Sequence, residues 1–310
     1  MSKFLVTGGA GFIGSHLSKK LIKNNEKVIC IDNFVTGSTK NLSTIESHPN
    51  FKLIKHDIVN PIELKVDRIW HLACPASPSK YLKDPVKTLR TNFLGAYNVL
   101  SLAKHNNAKV LLASSSEIYG DSKEHPQNED YFGNVNPLSK RSCYEEGKRI
   151  SESLFCNFNF MYGTNIAIAR IFNTYGAGML TDDGRVINNF IHQALGNKEI
   201  TVYGDGNQTR SFCYIDDLVN GIIQLMNSEY SYPINIGNND ETTINEIAST
   251  LISILNSESK IIYNELPEDD PLKRKPDITL AKKILNWAPK IDKKDGFEML
   301  IEYYKKNNLI

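Results

Sequence analysis

The sequence predicts an α/β protein built on a doubly wound parallel sheet, with a smaller α/β lobe at its carboxyl end. Three observations lead to this prediction. In the first half of the 310 residues, short apolar runs alternate with longer helical patterns. The apolar runs are continuous rather than alternating, which is typical of strands covered on both faces of a parallel sheet. After about residue 175 glycine-rich turns become frequent, which indicates a second lobe.

The first half supplies strands at "KFLVTG", "KVICID", "FKLIKHD", "RIWHLA", "KVLLASSS" and "NIAIARIF". The first helix is predicted at "IGSHLSKKLIKNN", whose apolar residues recur on one face. In the second half, "TINEIASTLISIL" and "GFEMLIEYYKKN" predict amphipathic helices. We therefore predict one domain over residues 1–174, with about 212–237 returning to it, and a second domain over 175–310.

Composition narrows the class of protein. The chain has 36 Lys plus Arg residues against 35 Asp plus Glu, a net charge of +1, so no global field favours nucleic acid or an anionic membrane. The five cysteines are odd in number and lack a C-x-x-C pair, and the seven histidines show no metal-ligand spacing, so we expect no disulfide framework and no metal. Without an apolar leader or a run long enough to span a bilayer, the sequence predicts a cytoplasmic protein.

The turn after the first strand predicts a dinucleotide site. "GGAGFIG" places Gly8, Gly11 and Gly14 between a strand and a helix, where glycines let a pyrophosphate approach the helix amino terminus. Asp32 ends the second strand about twenty residues later, where a carboxylate can bind the adenosine ribose hydroxyls. Because a carboxylate there repels a 2′-phosphate, we predict NAD rather than NADP.

A strand that ends in hydroxyls and a helix with a Tyr/Lys pair predict the reacting groups. "LLASSSEIYG" runs into three serines and Glu117, and "SCYEEGKR" places Tyr144 and Lys148 four residues apart on one helix face. A free phenol has a pKa of about 10, and a nearby ammonium together with the nicotinamide charge lowers this pKa by favouring the phenolate. Tyr144 is therefore predicted to act as acid and base.

With these residues in place, the chain resembles the extended short-chain dehydrogenase/reductase family, which binds NAD on a Rossmann domain, and within it the UDP-glucuronate decarboxylase group. The resemblance runs from about Lys3 to near residue 305. It rests on "TGGAGFIGSHL", "DNFVTG", "HLACPASP", "LLASSSEIYGD", "HPQNEDYFGNVNP", "CYEEGKR", "ARIFNTYG", "DGRVINNFI", "VYGDGNQTRSFCYIDDLVNG" and "KRKPDI". It implies that the first domain binds NAD and that the second binds a nucleotide sugar.

The resemblance also implies site residues. The catalytic positions are Ser115, Ser116, Glu117, Tyr144, Lys148 and Arg274. The cofactor positions are Gly8, Gly11, Phe12, Ile13, Gly14, Asp32, Asn33, Thr36, Asp57, Ile58, Leu72, Cys74, Thr91, Ala113, Tyr144, Lys148 and Thr174. The substrate positions are Arg90, Asn173, Ile187, Asn189, Phe190, Tyr203, Gln208, Arg210 and Arg274.

Sister reactions diverge after oxidation of the sugar at C4. Nucleotide-sugar 4,6-dehydratases carry an Asp-Glu pair after the hydroxyl residue, whereas this chain has Ser116, which is too weak an acid to protonate a leaving hydroxyl. C4 epimerases need no added carboxylate, so Glu117 favours decarboxylation. The resemblance implies that Glu117 and Arg274 position the substrate carboxylate and help to reprotonate C5. Because two facing carboxylates repel, we expect Glu117 to carry a proton or to act through Arg274 or a water.

The expected reaction is therefore conversion of UDP-glucuronate to UDP-xylose, with the hydride returned to C4 after CO₂ loss. Three alternatives stay open: release of the 4-keto pentose with NADH, a UDP-sugar 4-epimerase, and a non-catalytic NAD sensor. The resemblance further implies a homodimer that forms through the Tyr144 helix and the "FLGAYNVLSLAKH" helix.

Overall fold

The computed structural model describes residues 2–179, 184–265 and 273–307. Its strands are β1 (Lys3–Thr7), β2 (Lys27–Asp32), β3 (Phe51–Lys55), β4 (Arg68–His71), β5 (Lys109–Ser115), β6 (Ile166–Ile171), β7 (Thr174–Tyr175), β8 (Ile200–Tyr203), β9 (Thr209–Ser211), β10 (Cys213–Tyr214), β11 (Pro233–Ile236), β12 (Glu241–Thr243), β13 (Ile261–Asn264) and β14 (Lys273–Arg274). Its helices are α1 (Phe12–Lys23), α2 (Pro78–Tyr81), α3 (Pro85–Asn106), α4 (Ser142–Tyr162), α5 (Val186–Leu195), α6 (Ile215–Asn227), α7 (Ile244–Leu255), α8 (Thr279–Leu285) and α9 (Lys293–Lys306). Short 3₁₀ turns occupy Thr39–Leu42 and Ser116–Tyr119.

A seven-stranded sheet forms the centre of the fold, in the order β11-β6-β5-β4-β1-β2-β3. Strand β1 pairs in parallel with β2 on one side and with β4 on the other, so that Val6 lies between Cys30 and Trp70. The chain therefore winds outward from β1 in one direction and then in the other, which confirms the predicted doubly wound α/β class. In such sheets ligands bind at the carboxyl ends of the strands where the order reverses, here β1 and β4.

Close packing of α3 against α4 fixes the predicted catalytic helix. Helix α3 begins at an Asp84 cap, whose carboxylate accepts the Lys87 amide at 2.9 Å. Ser151 of α4 donates to the Asn92 carbonyl of α3 at 3.0 Å. A Cβ at Gly147 would lie 2.7 Å from the Asn92 side chain, so only glycine permits this approach. Gly147 lies between Tyr144 and Lys148 along α4, so its close contact with Asn92 fixes the backbone position from which both side chains extend.

The chain divides into two compact units. The first comprises Met1–Ile118, Asn136–Arg170 and Val219–Ile234, and the second comprises Tyr119–Val135, Ile171–Leu218 and Asn235–Ile310. The core of the first unit contains buried aliphatic residues from the sheet and α3, together with Phe155 and Phe158 of α4. The second unit contains the small sheets β12-β9-β14, β13-β8 and β10-β7.

Two local devices order the second unit. Thr243 and Glu246 form a capping box at the start of α7, in which each side chain accepts the other residue's backbone N–H. Asp217 accepts the backbone N–H groups of Lys290 and Ile291 at 2.8 Å each, and its carbonyl accepts the Trp287 indole N–H at 3.0 Å. Together they anchor the segment that leads into α9.

No helix within the described residues is both long and apolar enough to cross a membrane. All five cysteines are free thiols, and Cys156 is the exposed one. Among the described residues, no group of three or more His, Cys, Asp and Glu side chains is arranged to hold a metal ion.

Candidate active site

The glycine turn between β1 and α1 has the shape of a phosphate-binding loop. Gly8 has a φ of +70°, and a Cβ there would lie 2.9 Å from the Ala73 backbone, while a Cβ at Gly14 would overlap the Gly8 carbonyl. Gly11 is the N-cap of α1 and contributes no side-chain cap, so the first N–H groups of the helix face the turn. The loop therefore fits the pyrophosphate of a dinucleotide, as the sequence predicts.

Asp32 lies at the end of β2, beside the same turn. Its carboxylate accepts the Ala10 amide at 3.0 Å and the Phe34 amide at 2.8 Å. Burial raises the pKa of Asp32, and the backbone hydrogen bonds oppose that rise. A Cβ at Gly37 would lie 2.8 Å from both carboxylate oxygens, so this glycine lets the following loop close over Asp32. The carboxylate is thus placed to accept ribose hydroxyls.

The other predicted cofactor residues of the first unit lie at strand ends or helix starts. Asn33 donates to Asp57 at 3.0 Å, so the ends of β2 and β3 meet. Cys74 follows β4, and its thiol accepts from Asn92 at 3.3 Å. Phe12 and Ile13 open α1, Thr36 and Ile58 follow β2 and β3, Leu72 follows β4, Thr91 lies on α3, and Ala113 lies on β5. The predicted substrate residue Arg90 also lies on α3. Thr174 belongs to the second unit, where its hydroxyl donates to the Phe172 carbonyl at 2.9 Å.

Three successive serines at the end of β5 have different surroundings, and all three are buried. Ser114 donates to Glu152 at 2.5 Å and so belongs to the interior. Ser115 accepts the Glu117 amide at 3.2 Å and is hydrogen-bonded to the Tyr144 hydroxyl. Ser116 begins the 3₁₀ turn that carries Glu117. Ser115 is therefore the serine that meets the predicted acid and base.

Lys148 lies beneath Tyr144 on α4. Its ammonium donates to the Ala113 carbonyl at 2.8 Å and lies 5.6 Å from the centre of the Tyr144 ring. Burial lowers the pKa of Lys148. The predicted Ser115, Tyr144 and Lys148 side chains are thus brought together within one unit.

Without the nicotinamide charge, the pKa of Tyr144 is raised above its ordinary value. Burial raises the pKa of Tyr144, and nearby Cys74, Glu117 and Tyr81 raise it further against the lowering effect of the Ser115 hydrogen bond. A desolvated phenolate costs more than one hydrogen bond recovers, so Tyr144 remains a phenol. It can donate a proton, and it needs added positive charge to accept one.

Tyr81 is a residue that the sequence reasoning missed. It comes at the end of α2, and its ring stacks on Tyr144 with centroids 5.0 Å apart and planes 9° apart. Its hydroxyl is buried and has no hydrogen-bond partner among the described residues. The stacking holds the Tyr144 ring from one face. Because 63 positions separate the two residues, no local pattern points to this contact.

Arg141 is the second residue missed. Its guanidinium donates to Glu117 at 2.7 Å and to Glu145 at 3.3 Å. The side chains of Arg141 and Glu117 are only 15% and 16% exposed, so water screens the pair weakly. The expectation that Glu117 acts through Arg274 or water did not include this ion pair, which lies inside the first unit.

Arg274 and Arg210 belong to the second unit, where they are neighbours. Strands β14 and β9 pair in parallel with Arg274 opposite Arg210, and both side chains are buried. Gln127 holds the chain after Arg274: its backbone N–H donates to the Lys275 carbonyl and its side chain accepts the Lys275 N–H, both at 2.8 Å. Asn235 in turn donates to the Gln127 carbonyl at 3.0 Å. Buried amides therefore fix the segment that follows Arg274, on the strand that pairs with the strand of Arg210.

The remaining predicted substrate residues of the second unit divide by burial. Ile187 and Phe190 are core residues of α5, so they contribute to its packing. Asn189 donates to the Gly184 carbonyl at 3.2 Å. Tyr203 is half exposed and accepts at its carbonyl from Gln208 at 2.5 Å. Asn173 accepts the Cys213 amide at its carbonyl at 2.9 Å.

Comparison with known proteins gives one consistent group. The NAD dependent epimerase/dehydratase family model matches residues 4–237. Over 307 residues the chain is 50% identical to UDP-glucuronic acid decarboxylase 1 of Arabidopsis thaliana, covering 99% of this chain and 71% of that protein. Over 304 residues it is 49% identical to UDP-glucuronic acid decarboxylase 1 of Danio rerio, covering 98% and 73%.

Solved structures show the same fold. A UDP-glucuronic acid 4-epimerase from Bacillus cereus, in complex with UDP-glucuronic acid and NAD, superimposes with a TM-score of 0.88 at 31% identity, covering 98% of this chain and 99% of that chain. A UDP-glucose 4-epimerase from Thermotoga maritima gives a TM-score of 0.91 at 28% identity, covering 99% of each chain.

Proposed function

The chain belongs to the NAD dependent epimerase/dehydratase family, and we propose that it converts UDP-glucuronate to UDP-xylose by oxidation at C4, loss of CO₂ and re-reduction at C4. The observation that carries this proposal is the set of side chains near Tyr144. Within one compact unit, Ser115 and Lys148 lie near Tyr144 together with a largely buried carboxylate, Glu117. The first three groups suffice for redox chemistry at a sugar carbon, so Glu117 indicates a further step.

The glycine turn and Asp32 hold the cofactor in this proposal, with the pyrophosphate at the start of α1 and the ribose at the carboxylate. When bound, NAD supplies a hydride acceptor for the sugar C4 and the positive charge of the nicotinamide ring. Added positive charge favours the phenolate form of Tyr144, which burial alone disfavours. Tyr144 then accepts the C4 hydroxyl proton while Ser115 donates to the C4 oxygen.

Oxidation at C4 turns the uronate into a β-keto acid. The C–C bond to the carboxylate then breaks because the ketone can hold the electron pair as an enolate, with CO₂ as the leaving group. Ser115 and Tyr144 supply hydrogen bonds to the enolate oxygen as its charge develops. We propose that Glu117 positions the substrate carboxylate and assists the proton transfer to C5. Arg274, buried beside Arg210, supplies positive charge for the anionic substrate in the second unit.

The decisive experiment is product analysis by NMR after incubation with UDP-glucuronate labelled at its carboxyl carbon. We expect labelled CO₂ and UDP-xylose in equal amounts, with no net NADH. A labelled uronate epimerised at C4 would establish a 4-epimerase instead, and NADH with a 4-keto pentose would establish early release. If NAD binds but neither the sugar nor the cofactor changes, the proposed decarboxylation is contradicted and the non-catalytic NAD sensor is favoured.

Replacing Glu117 by Gln tests the residue that separates these reactions. The substitution keeps the side-chain shape but removes the carboxylate, so NAD binding should be retained while CO₂ release falls by about 10²-fold or more. The rate of CO₂ release and the affinity for NAD, measured by titration, check this. Unimpaired CO₂ release from the Glu117→Gln enzyme would contradict the assigned role.

We also propose that the protein is a homodimer. Val86, Leu89, Phe93 and Tyr97 are exposed apolar residues that recur along one face of α3, and Ile150 is exposed on the adjacent α4. Such a face is what a two-fold helical interface would cover. The sedimentation mass of the intact chain and of a Phe93→Glu variant would test this.

A cytoplasmic location, which we also propose, is supported by the free cysteines.

A further inference from the structure

Two arginines in the first half of α4 and at its N-cap contact the same 3₁₀ turn at Ser116–Tyr119 in different ways. Arg141 is the N-cap residue of α4, and its carbonyl accepts the Tyr144 amide at 2.9 Å. Its guanidinium binds the Glu117 carboxylate at 2.7 Å. Arg149, two turns later, donates instead to the Ile118 carbonyl at 3.1 Å. The turn is therefore tied once through a backbone group and once through the acidic side chain itself.

The contact between Arg141 and Glu117 lies beside the reacting phenol. Glu117, Arg141 and Glu145 all exert electrostatic effects on Tyr81, whose ring is stacked on Tyr144. Glu117 acts on Tyr144 as well. The charge on Glu117 is thus felt at the site of C4 oxidation, in surroundings where water screens it weakly.

We propose that Arg141 is a positioning residue, whose guanidinium fixes the Glu117 carboxylate and offsets its charge so that Glu117 can face a carboxylate-bearing sugar nucleotide. This inference rests on the proposed decarboxylation, because only a uronate brings a second carboxylate to Glu117. Arg141 divides its guanidinium between Glu117 and Glu145, which fixes the direction from which it approaches Glu117. It needs no contact with substrate in this role.

The proposal predicts that replacing Arg141 weakens the binding of sugar nucleotides that carry a carboxylate. It also predicts that this effect requires Glu117. In Arg141→Gln, we expect the affinity for UDP-glucuronate to fall about tenfold and the affinity for UDP-xylose, which lacks the carboxylate, to stay within about twofold. CO₂ release should fall by about 10²-fold. Titration calorimetry with the two nucleotides on the NAD-loaded enzyme measures the discrimination.

A double-substitution cycle separates positioning from structural support. In the Glu117→Gln background, Arg141→Gln should change UDP-glucuronate affinity by less than about twofold, because there is no charge left to offset. Glu145→Gln in the Arg141→Gln background is the matched control, since it removes the other carboxylate, and it should not restore the affinity. The proposal would be overturned if Glu145→Gln restored UDP-glucuronate affinity to Arg141→Gln as well as Glu117→Gln does. It would also be overturned if the losses of affinity from Arg141→Gln and Glu117→Gln were additive.

Arg149→Met is the control for loosening of the turn, because it removes the hydrogen bond to the Ile118 carbonyl while Arg141 stays in place to pair with Glu117. It should leave CO₂ release within about twofold of wild type. A loss as large as that of Arg141→Gln would show that Arg141 acts only by holding the 3₁₀ turn in place, and would contradict the proposal. If Arg141→Gln does not fold, Arg141→Lys is used instead, because it keeps the positive charge. It should keep the wild-type ratio of affinities for UDP-glucuronate and UDP-xylose, and a fall in that ratio would also overturn the proposal. CO₂ release by wild type tests the proposed function separately.

Discussion

Two of the arginine–glutamate pairs in the first unit, Arg170–Glu152 and Arg141–Glu117, differ in geometry, and this difference separates a structural pair from a functional one. Arg170 surrounds Glu152 from two sides, with Nε 3.1 Å and Nη2 2.9 Å from its two oxygens, and Ser114 donates to the same carboxylate at 2.5 Å. Arg141 instead donates from Nη2 to Glu117 at 2.7 Å and also pairs with Glu145. The pairs are about equally sheltered, at 10% and 11% exposure for the first and 15% and 16% for the second.

The difference indicates where each carboxylate does its work. A carboxylate held by a forked guanidinium and a hydroxyl has its hydrogen-bonding capacity directed at the protein, which suits a buried structural role. Glu117 follows Ser115 and Ser116 on the 3₁₀ turn after β5, where its charge acts on Tyr144 and where we propose that a substrate group meets it. Burial alone would not distinguish the two pairs, whereas their partners do.

The largest expected effect is at Tyr144, next to the functional pair. Tyr144→Phe removes only the hydroxyl that transfers the proton at C4, so we expect C4 oxidation to slow by about 10³-fold or more. The free energy of unfolding should not fall by more than about 1 kcal/mol, because the ring and its stacking remain. Single-turnover formation of reduced nicotinamide with UDP-glucuronate measures the rate.

Tyr81→Phe is the matched control for that substitution. The same atom is removed from the other ring of the stack, but here the hydroxyl is buried without a partner among the described residues. We expect equal or greater stability and a loss of rate far smaller than for Tyr144→Phe. Equal rate losses at the two tyrosines would contradict the assignment of Tyr144 as the proton-transferring group.

The next effect concerns the structural pair. Glu152→Ala leaves Arg170 buried without its carboxylate, which should lower the free energy of unfolding by about 3–5 kcal/mol. The corresponding Glu117→Ala substitution should cost less than about 2 kcal/mol, because Arg141 retains Glu145. Urea denaturation of both variants gives the comparison.

Replacing both members of the structural pair checks the reason for the loss. The double variant Glu152→Met with Arg170→Met should recover part of the stability lost in Glu152→Ala, because no unpaired charge remains in the interior. A double variant that is less stable than Glu152→Ala would show that the pair acts by more than charge compensation.

The smallest expected effect is the pH dependence of stability that comes from His71, a buried histidine. His71 is hydrogen-bonded to Thr7 at 2.9 Å, and burial, with a contribution from Lys148, lowers its pKa to about 3. Below the unfolded pKa of about 6.5, only the unfolded chain takes up this proton, so stability present above that pH is lost as pH falls towards about 3. Between about pH 6.5 and 5.5, His71 should cost about 1 kcal/mol of stability. His71→Gln should lose less stability over this interval, and an unchanged pH dependence would contradict the burial of a neutral imidazole.

Local patterns were enough to predict the fold class and the core of the site. The glycine turn and Asp32 follow from strand–turn–helix spacing, and the Tyr144–Lys148 pair follows from helical periodicity, so each depends on residues close in sequence. The predicted α/β class and NAD dependent family are confirmed by the parallel sheet and the family match. The assignment of catalytic, cofactor and substrate roles to individual residues remains a prediction.

The sequence by itself determined which chemical groups are present and which of them share a strand end or a helix face. Only the tertiary structure decided which groups meet across the chain: Arg141 with Glu117, 24 positions apart, and Tyr81 with Tyr144, 63 positions apart. It also decided the direction in which the pKa of Tyr144 moves, because that depends on how much water the packing of α4 against β5 removes. Periodicity records neighbours along a helix or strand, whereas desolvation and ion pairing depend on everything that surrounds a side chain, and the folded chain alone specifies that.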